Sequence, residues 1–196
     1  MVGEFESGFV YDPIALNLAK LANGSRMLIT MDANRLERFL GQHGIALERH
    51  EHPPVMTVEE AASLVPALPG AKTKNLFLRD KKGVRHALVA VPSQCAVDLK
   101  ALAKQIGFAG IGFASAERLQ RYLGIEPGSV SILALVNDPE HAVEFYVDRE
   151  LWDAPAVQSH PLVNTATMVF PHDMLERFIA ATGHLANIVD VPRRPS

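Results

Sequence analysis

Apolar and polar positions alternate most clearly along Lys72-Thr73-Lys74-Asn75-Leu76-Phe77-Leu78-Arg79-Asp80, which predicts a strand. Asp80-Lys81-Lys82-Gly83 predicts a turn into a second strand, Val84–Val91, so the two form a hairpin. Helical spacing recurs on either side. Ile14, Leu18 and Leu21 mark a helix over Asp12–Leu21, and Asp32 caps one carrying Leu36, Phe39 and Leu40 on one face. Ile45–His52 alternates as a strand until Pro53-Pro54 stops it. Thr57-Val58-Glu59-Glu60 is a capping box for a helix reaching about Val65.

Beyond the hairpin, Asp98 opens a helix with Leu99, Leu102 and Ile106 inward and Gly107 at its close. Ser115 opens the next, closed by Gly124. The apolar run Val130–Val136 predicts a buried strand and Ala142–Val147 another. A polar loop follows Trp152, then an extended piece over Val163–Phe170, a helix from Asp173 to about Thr182 and a last strand, Asn187–Val191. Short strands joined by hairpins with helices between them predict an α+β domain around a mostly antiparallel sheet. The expected organisation is an N-terminal arm or extra helix over residues 1–30, one domain over 31–191 and a short basic tail over 192–196.

Composition narrows the function classes. The 196 residues suffice for one good core, and no apolar run approaches the ~20 residues needed to cross a bilayer. Cys95 is the single cysteine, which suits a reducing cytoplasm and leaves no internal disulfide. A net charge of −3 excludes a broad grip on nucleic acid, so any RNA contact has to be made by a small basic patch.

The candidate chemistry is sparse. No dinucleotide fingerprint, P-loop, GxSxG or HExxH occurs. His50 and His52 share a strand face but lack a third ligand at motif spacing, so no metal or cofactor is expected. Nothing beside Cys95 in sequence would lower its pKa. Lys74 at the mouth of an apolar strand is either a solvated strand end or a fixed cation suited to a phosphate or a polarised carbonyl. Gly128-Ser129-Val130-Ser131 either simply turns or aims amides and a hydroxyl into a cleft. His160 and Asn164 lie in a loop where local physics alone leaves them as surface polar residues.

An ordered set of short motifs adds to this reading. His52-Pro53-Pro54, Thr57-Val58-Glu59-Glu60-Ala61, Lys72–Leu78, Phe113–Leu119, Leu123–Val130 and His160-Pro161-Leu162 together resemble the YbaK/prolyl-tRNA-synthetase-associated editing domain family. Within it the chain is most similar to the free-standing ProX-type deacylases, which remove alanine mischarged on proline tRNA. The resemblance spans roughly residues 31–191 and implies a mixed sheet curled into a partial barrel with helices around it. It also implies a pocket for the 3′ end of an aminoacyl-tRNA, with prolyl-tRNA synthetase or an elongation factor as candidate partners. Lys74 falls on the family's essential lysine, with Thr73, Asn75, Gly128, Ser129, Val130, His160 and Asn164 expected around the substrate. Deacylation of another small residue, cysteine or serine, and a non-catalytic module binding the tRNA end or another ligand are the alternatives. Two positions depart from the family pattern: Ile132 stands in place of the proline of Gly-x-x-x-Pro, and Val163 in place of the arginine of His-Pro-Leu-Arg-Asn. Without that proline, the expectation is a more adaptable substrate loop.

Overall fold

The alternation around Lys72–Arg79 becomes a long antiparallel hairpin in the computed structural model, which describes residues 33–54 and 67–194. Its strands are β2 (Ala71–Asp80) and β3 (His86–Pro92), in register from Thr73 opposite Pro92 to Arg79 opposite His86. Asp80 closes the turn by accepting the amides of Val84 and Arg85 on Oδ1, at 2.7 and 3.2 Å. The expected helix over Asp12–Leu21, the Asp32 cap and the Thr57–Glu60 capping box with its helix lie outside the described residues.

The other elements follow the sequence closely at their caps. They are α1 (Ala33–Gln42), β1 (Glu48–Glu51), α2 (Leu99–Gln105), β4 (Ile111–Phe113), α3 (Ala116–Leu123), β5 (Val143–Asp148), α4 (Arg149–Trp152), β6 (Ala156–Ser159), β7 (Ala166–Pro171), α5 (His172–Thr182) and β8 (Asn187–Val189). Asp98 caps α2 by accepting from Lys100 and Ala101, and Ser115 caps α3 by accepting from Arg118. Gly124 and Gly183 end their helices in the left-handed region, at φ +62° and +76°.

Two stretches differ from expectation. The run after Val130 is a buried 3₁₀ helix, Ile132–Asn137, not a strand. A short continuous apolar run has no period to separate the two, and here Ser131 decides by accepting the Leu133 amide and starting the tighter turn. The stretch after Trp152, expected as a polar loop, contains β6, whose Val157, Gln158 and Ser159 are all buried, and the short helix α4 precedes it.

The eight strands form one mixed sheet in the order β1-β7-β6-β2-β3-β5-β8, with β4 also on β2. The hairpin signal pointed to one of its antiparallel pairs, β2–β3. The parallel pairs β2–β6, β3–β5 and β5–β8 come from long connections that local patterns do not reveal. β3 is buried along its length from His86 to Val91 because both faces are covered. Leu88 and Ala90 enter the larger core with Phe145, Phe170 and Phe178, while Ala87, Val89 and Val91 enter a smaller one with Leu102 and Tyr146.

A buried carboxylate ties three elements together. Asp138, after the 3₁₀ helix, accepts from the amides of Ala142 and Val143 at 3.1 and 2.7 Å, and His184 Nε2 donates to it at 3.2 Å. Burial pushes the Asp138 carboxyl up, but the His184 bond and the two amides outweigh it and hold the group below its ordinary value. Its contribution to stability is therefore complete above the ordinary carboxyl value near 4 and is lost as pH falls through the lower folded value. Asp138→Asn is expected to lower stability at neutral pH by about 3 kcal/mol and to flatten the acid limb, as read from denaturant midpoints at several pH values. An unchanged acid limb in the variant would show that the carboxylate is not what couples these elements to pH.

Candidate active site

The second edge of β2 is divided between two strands. Ala71 and Lys72 pair with β6, and Leu78 to Asp80 pair with β4. Lys74 to Leu76 have no strand partner on that edge, and the chain around Val130 takes the place of one. The Asn75 amide nitrogen donates to the Val130 carbonyl at 3.2 Å, while its oxygen, Oδ1, is buried without a hydrogen-bond partner. Thr73 Oγ1 donates to the Gln158 carbonyl at 2.7 Å, fastening the head of β2 to β6.

Strand alternation then separates neighbouring residues. Asn75 and Phe77 face the larger core, and Lys74, Leu76 and Leu78 face the smaller one. Lys74 Nζ donates to the Cys95 carbonyl at 2.6 Å, beyond the end of β3. The structure thus gathers Asn75, Val130 and His160 on one side and leaves Lys74 on the other. Cys95 itself is buried, and burial pushes its thiol up, away from nucleophilic use.

The glycine-led stretch has a definite geometry. Glu126-Pro127-Gly128-Ser129 is closed by the Ser129 amide donating to the Glu126 carbonyl at 3.1 Å, with Gly128 at φ +90°. Proline followed by a positive-φ glycine is the sequence a type II turn requires. The Ser129 amide is engaged in that turn, which corrects its expected role as a donor to a substrate carbonyl. Ile132, two residues after Val130, is 2% exposed in the larger core and is not part of a mobile surface loop. Core packing supplies the stiffness that the missing proline would have given.

Ser131 joins this turn to the His160 stretch. Its buried hydroxyl donates to the His160 carbonyl at 2.5 Å, accepts from Leu133, and lies 3.0 Å from Ser159 Oγ. His160 Nδ1 is 3.1 Å from the Ala166 carbonyl, so Nδ1 carries the proton and Nε2 is an acceptor. Burial lowers the His160 pKa, the Ala166 carbonyl opposes that and nearby His52 reinforces it, so the ring is neutral near pH 7. His52 is 6.3 Å from it, ring to ring, with Nε2 at 3.0 Å from Thr167 Oγ1 and Nδ1 at 2.9 Å from the Pro53 carbonyl. Both His52 nitrogens are therefore engaged within the protein. Leu162 adopts φ +64°, an uncommon conformation for a leucine, immediately beside this cluster. Asn164 is partly buried in the same loop. Ser159 and Thr167 carried no distinctive sequence signal, and Ser131 stood out only as part of the Gly128–Ser131 stretch.

This fold belongs to a recognised class. Residues 52–178 match the aminoacyl-tRNA editing domain, and the chain belongs to that family, whose members are aminoacyl-tRNA deacylases. It is 38% identical over 141 residues to the prolyl-tRNA editing protein ProX of Acetoanaerobium sticklandii, covering 72% of this chain and 86% of that protein. It is 40% identical over 152 residues to prolyl-tRNA synthetase associated domain-containing protein 1 of Danio rerio, covering 76% and 82%. A crystal structure titled as that of a candidate trans-editing enzyme for prolyl tRNA synthetase shares the fold, with a TM-score of 0.61 at 22% identity over 83% of this chain and 97% of that one. No described helix is long and apolar enough to cross a membrane.

The Ser131 hydroxyl is expected to hold the two halves of the site together. Ser131→Ala removes a donor from the His160 carbonyl and an acceptor from the Leu133 amide, and is expected to cost about 1–3 kcal/mol in a denaturant melt. A melt identical to that of the unaltered protein would show that the hydroxyl is replaceable by its neighbours.

Proposed function

We propose that this chain is a trans-editing deacylase that hydrolyses mischarged prolyl-tRNA, releasing alanine. The observation that carries the reading is Asn75: a buried amide oxygen without a partner, beside a lysine at a strand mouth and opposite a glycine-led turn. Such an acceptor calls for a donor, and the α-ammonium of an aminoacyl ester or a ribose hydroxyl of the terminal adenosine provides one. The similarity to the ProX protein supports the same substrate class.

The reaction asks little of the protein because the ester is already activated. A water oxygen bonds to the carbonyl carbon, the carbon–ribose oxygen bond breaks, and the ribose oxygen leaves with a proton. The protein has to orient the ester and water and stabilise the developing oxyanion. In this reading Asn75 fixes the amino-acid end, the Gly128 amide and Ser129 hydroxyl face the carbonyl side, and neutral His160 and Asn164 border the pocket. Lys74 exchanges the Cys95 carbonyl for the terminal phosphate or the ester. The tRNA's own ribose hydroxyl helps to place the water, so no side-chain triad is needed. A pocket wall held by Ile132 and the Ser131 hydrogen bonds rejects bulk such as proline while admitting alanine. Prolyl-tRNA synthetase and an elongation factor are the proteins that would hand over such a substrate.

A second reading is favoured by one observation, the placement of Lys74 on the sheet face opposite Asn75. It makes the chain a module that binds the aminoacyl end without hydrolysing it. Deacylation of alanyl-, seryl- and cysteinyl-tRNA(Pro) by the unaltered protein and by Lys74→Ala decides between them. Alanyl-tRNA(Pro) is expected to be hydrolysed fastest, and Lys74→Ala to raise the barrier by about 2–4 kcal/mol, roughly 30- to 1,000-fold in rate. No release from any of the three by the unaltered protein would establish the binding reading. Undiminished hydrolysis by a folded Lys74→Ala would remove Lys74 from the mechanism.

A further inference from the structure

Two clefts are described away from Asn75, and their electrostatics differ. One runs along Asp148, Glu150, Asp190 and Arg193, where opposite charges cancel: Arg149 pairs with Asp190 at 3.1 Å and Arg193 with Glu150 at 2.5 Å. The other, of about 400 Å³, lies at the far end of β2 and is lined by Arg79, Lys81, Lys82, Phe113 and Arg118. None of these four cations lies within ion-pair distance of a carboxylate among the described residues. The nearby Asp80 is 7% exposed, with its Oδ1 accepting from the turn amides of Val84 and Arg85.

The arginines are aimed by neutral groups, which fix direction without cancelling charge. Arg79 Nη1 donates to the carbonyls of Asp80 and Lys81, at 3.0 and 3.1 Å. Arg118 Nη1 donates to the Gly83 carbonyl at 2.9 Å and to His86 Nε2 at 2.8 Å. To accept from a guanidinium, His86 has to be neutral at Nε2. It is 1% exposed, and burial together with the neighbouring arginines lowers its pKa. The ring is packed against Phe77 and Tyr122, with centroids at 5.8 and 4.0 Å. Gly83 leaves Arg118 its place, since a Cβ there would lie 2.6 Å from Nη2. Beside these cations Phe113 is 62% exposed, a flat apolar face next to four positive charges.

We infer that this cleft docks the sugar–phosphate backbone of an RNA strand, namely the acceptor end of the tRNA whose aminoacylated terminus reaches Asn75. The inference rests on the editing reading for the identity of the strand. Asn75 and Arg79 are four residues apart on one straight strand, roughly 13 Å, so β2 works as a ruler between the reacting end and the first phosphates held. Arg118 and Arg79 offer planar, pre-aimed forks, Lys81 and Lys82 offer mobile charges, and Phe113 offers a surface on which an unpaired base stacks. On a chain of net charge −3, this patch supplies a local field that concentrates the substrate at one end of the strand.

The test is the triple variant Arg79→Ala, Lys81→Ala, Lys82→Ala, which leaves the part-buried Arg118–His86 contact in place. KM for alanyl-tRNA(Pro) is expected to rise about tenfold or more with kcat nearly kept, and the salt slope of binding to fall by about one per cation removed. Hydrolysis of the alanyl ester of adenosine, too short to span the distance, is expected to be insensitive to the substitutions. Equal KM and salt slope in the variant would overturn the inference while leaving the editing reading standing. Should the unaltered protein hydrolyse neither substrate, the editing reading falls. Titration with uncharged tRNA(Pro) then decides the cleft, weaker binding by the variant supporting it and equal binding overturning it.

Discussion

The interruption in the hydrogen bonding of β2 is the constraint on which the rest of the molecule depends. A central strand normally has both edges filled, because an unpaired buried amide or carbonyl is costly. In this chain β3 fills one edge throughout, while β6 and β4 fill only the ends of the other. The gap at Lys74–Leu76 is closed by a side chain, Asn75, reaching the Val130 carbonyl. That substitution of side chain for strand leaves an amide oxygen buried without a partner at the edge of the sheet. It also explains why the Val130–Asn137 segment abandons strand geometry: it seals the gap as a turn and a 3₁₀ helix, and Ser131 couples it to His160.

In the proposed reading, the same strand organises function along its length. Its head carries Lys74 and Asn75, its tail carries Arg79, and the turn that follows contributes Lys81, Lys82 and the Gly83 carbonyl that holds Arg118. The chain's overall negative charge is compatible with an RNA substrate because four cations, Arg79, Lys81, Lys82 and Arg118, line one cleft and none of them pairs with a carboxylate among the described residues. The price of the strand geometry is that Lys74 and Asn75 look to opposite faces, so the lysine reaches a substrate only by leaving the Cys95 carbonyl.

Much of this was legible in the residues. The β2–β3 hairpin, the Asp98 and Ser115 caps, the closing glycines and the Pro127-Gly128 turn each have a local physical signature, and each forms where that signature lies. The parallel pairing of β2 with β6 left no such trace, because register across a long connection depends on packing and not on neighbours in sequence. Val130–Val136 misled because burial on all sides erases the period that separates strand from helix. At the site, the Lys74-Asn75 pair stood out as polar residues in an apolar strand, yet their division between two faces followed only from the register. Ser159 and Thr167 were silent since hydroxyls are common and their bonds are set by tertiary contacts. Arg118 and His86, 32 positions apart, meet only in the folded chain.

The location of the site is tested most directly by following side-chain and backbone amide resonances during titration with an amide-linked, non-hydrolysable alanyl-adenosine. The Asn75 side-chain amide and the Gly128 and Ser129 backbone amides are expected to shift together and saturably, with Arg149 and Asp190 unmoved. Saturable shifts confined to the Asp148–Arg193 cleft, with Asn75 unmoved, would contradict it.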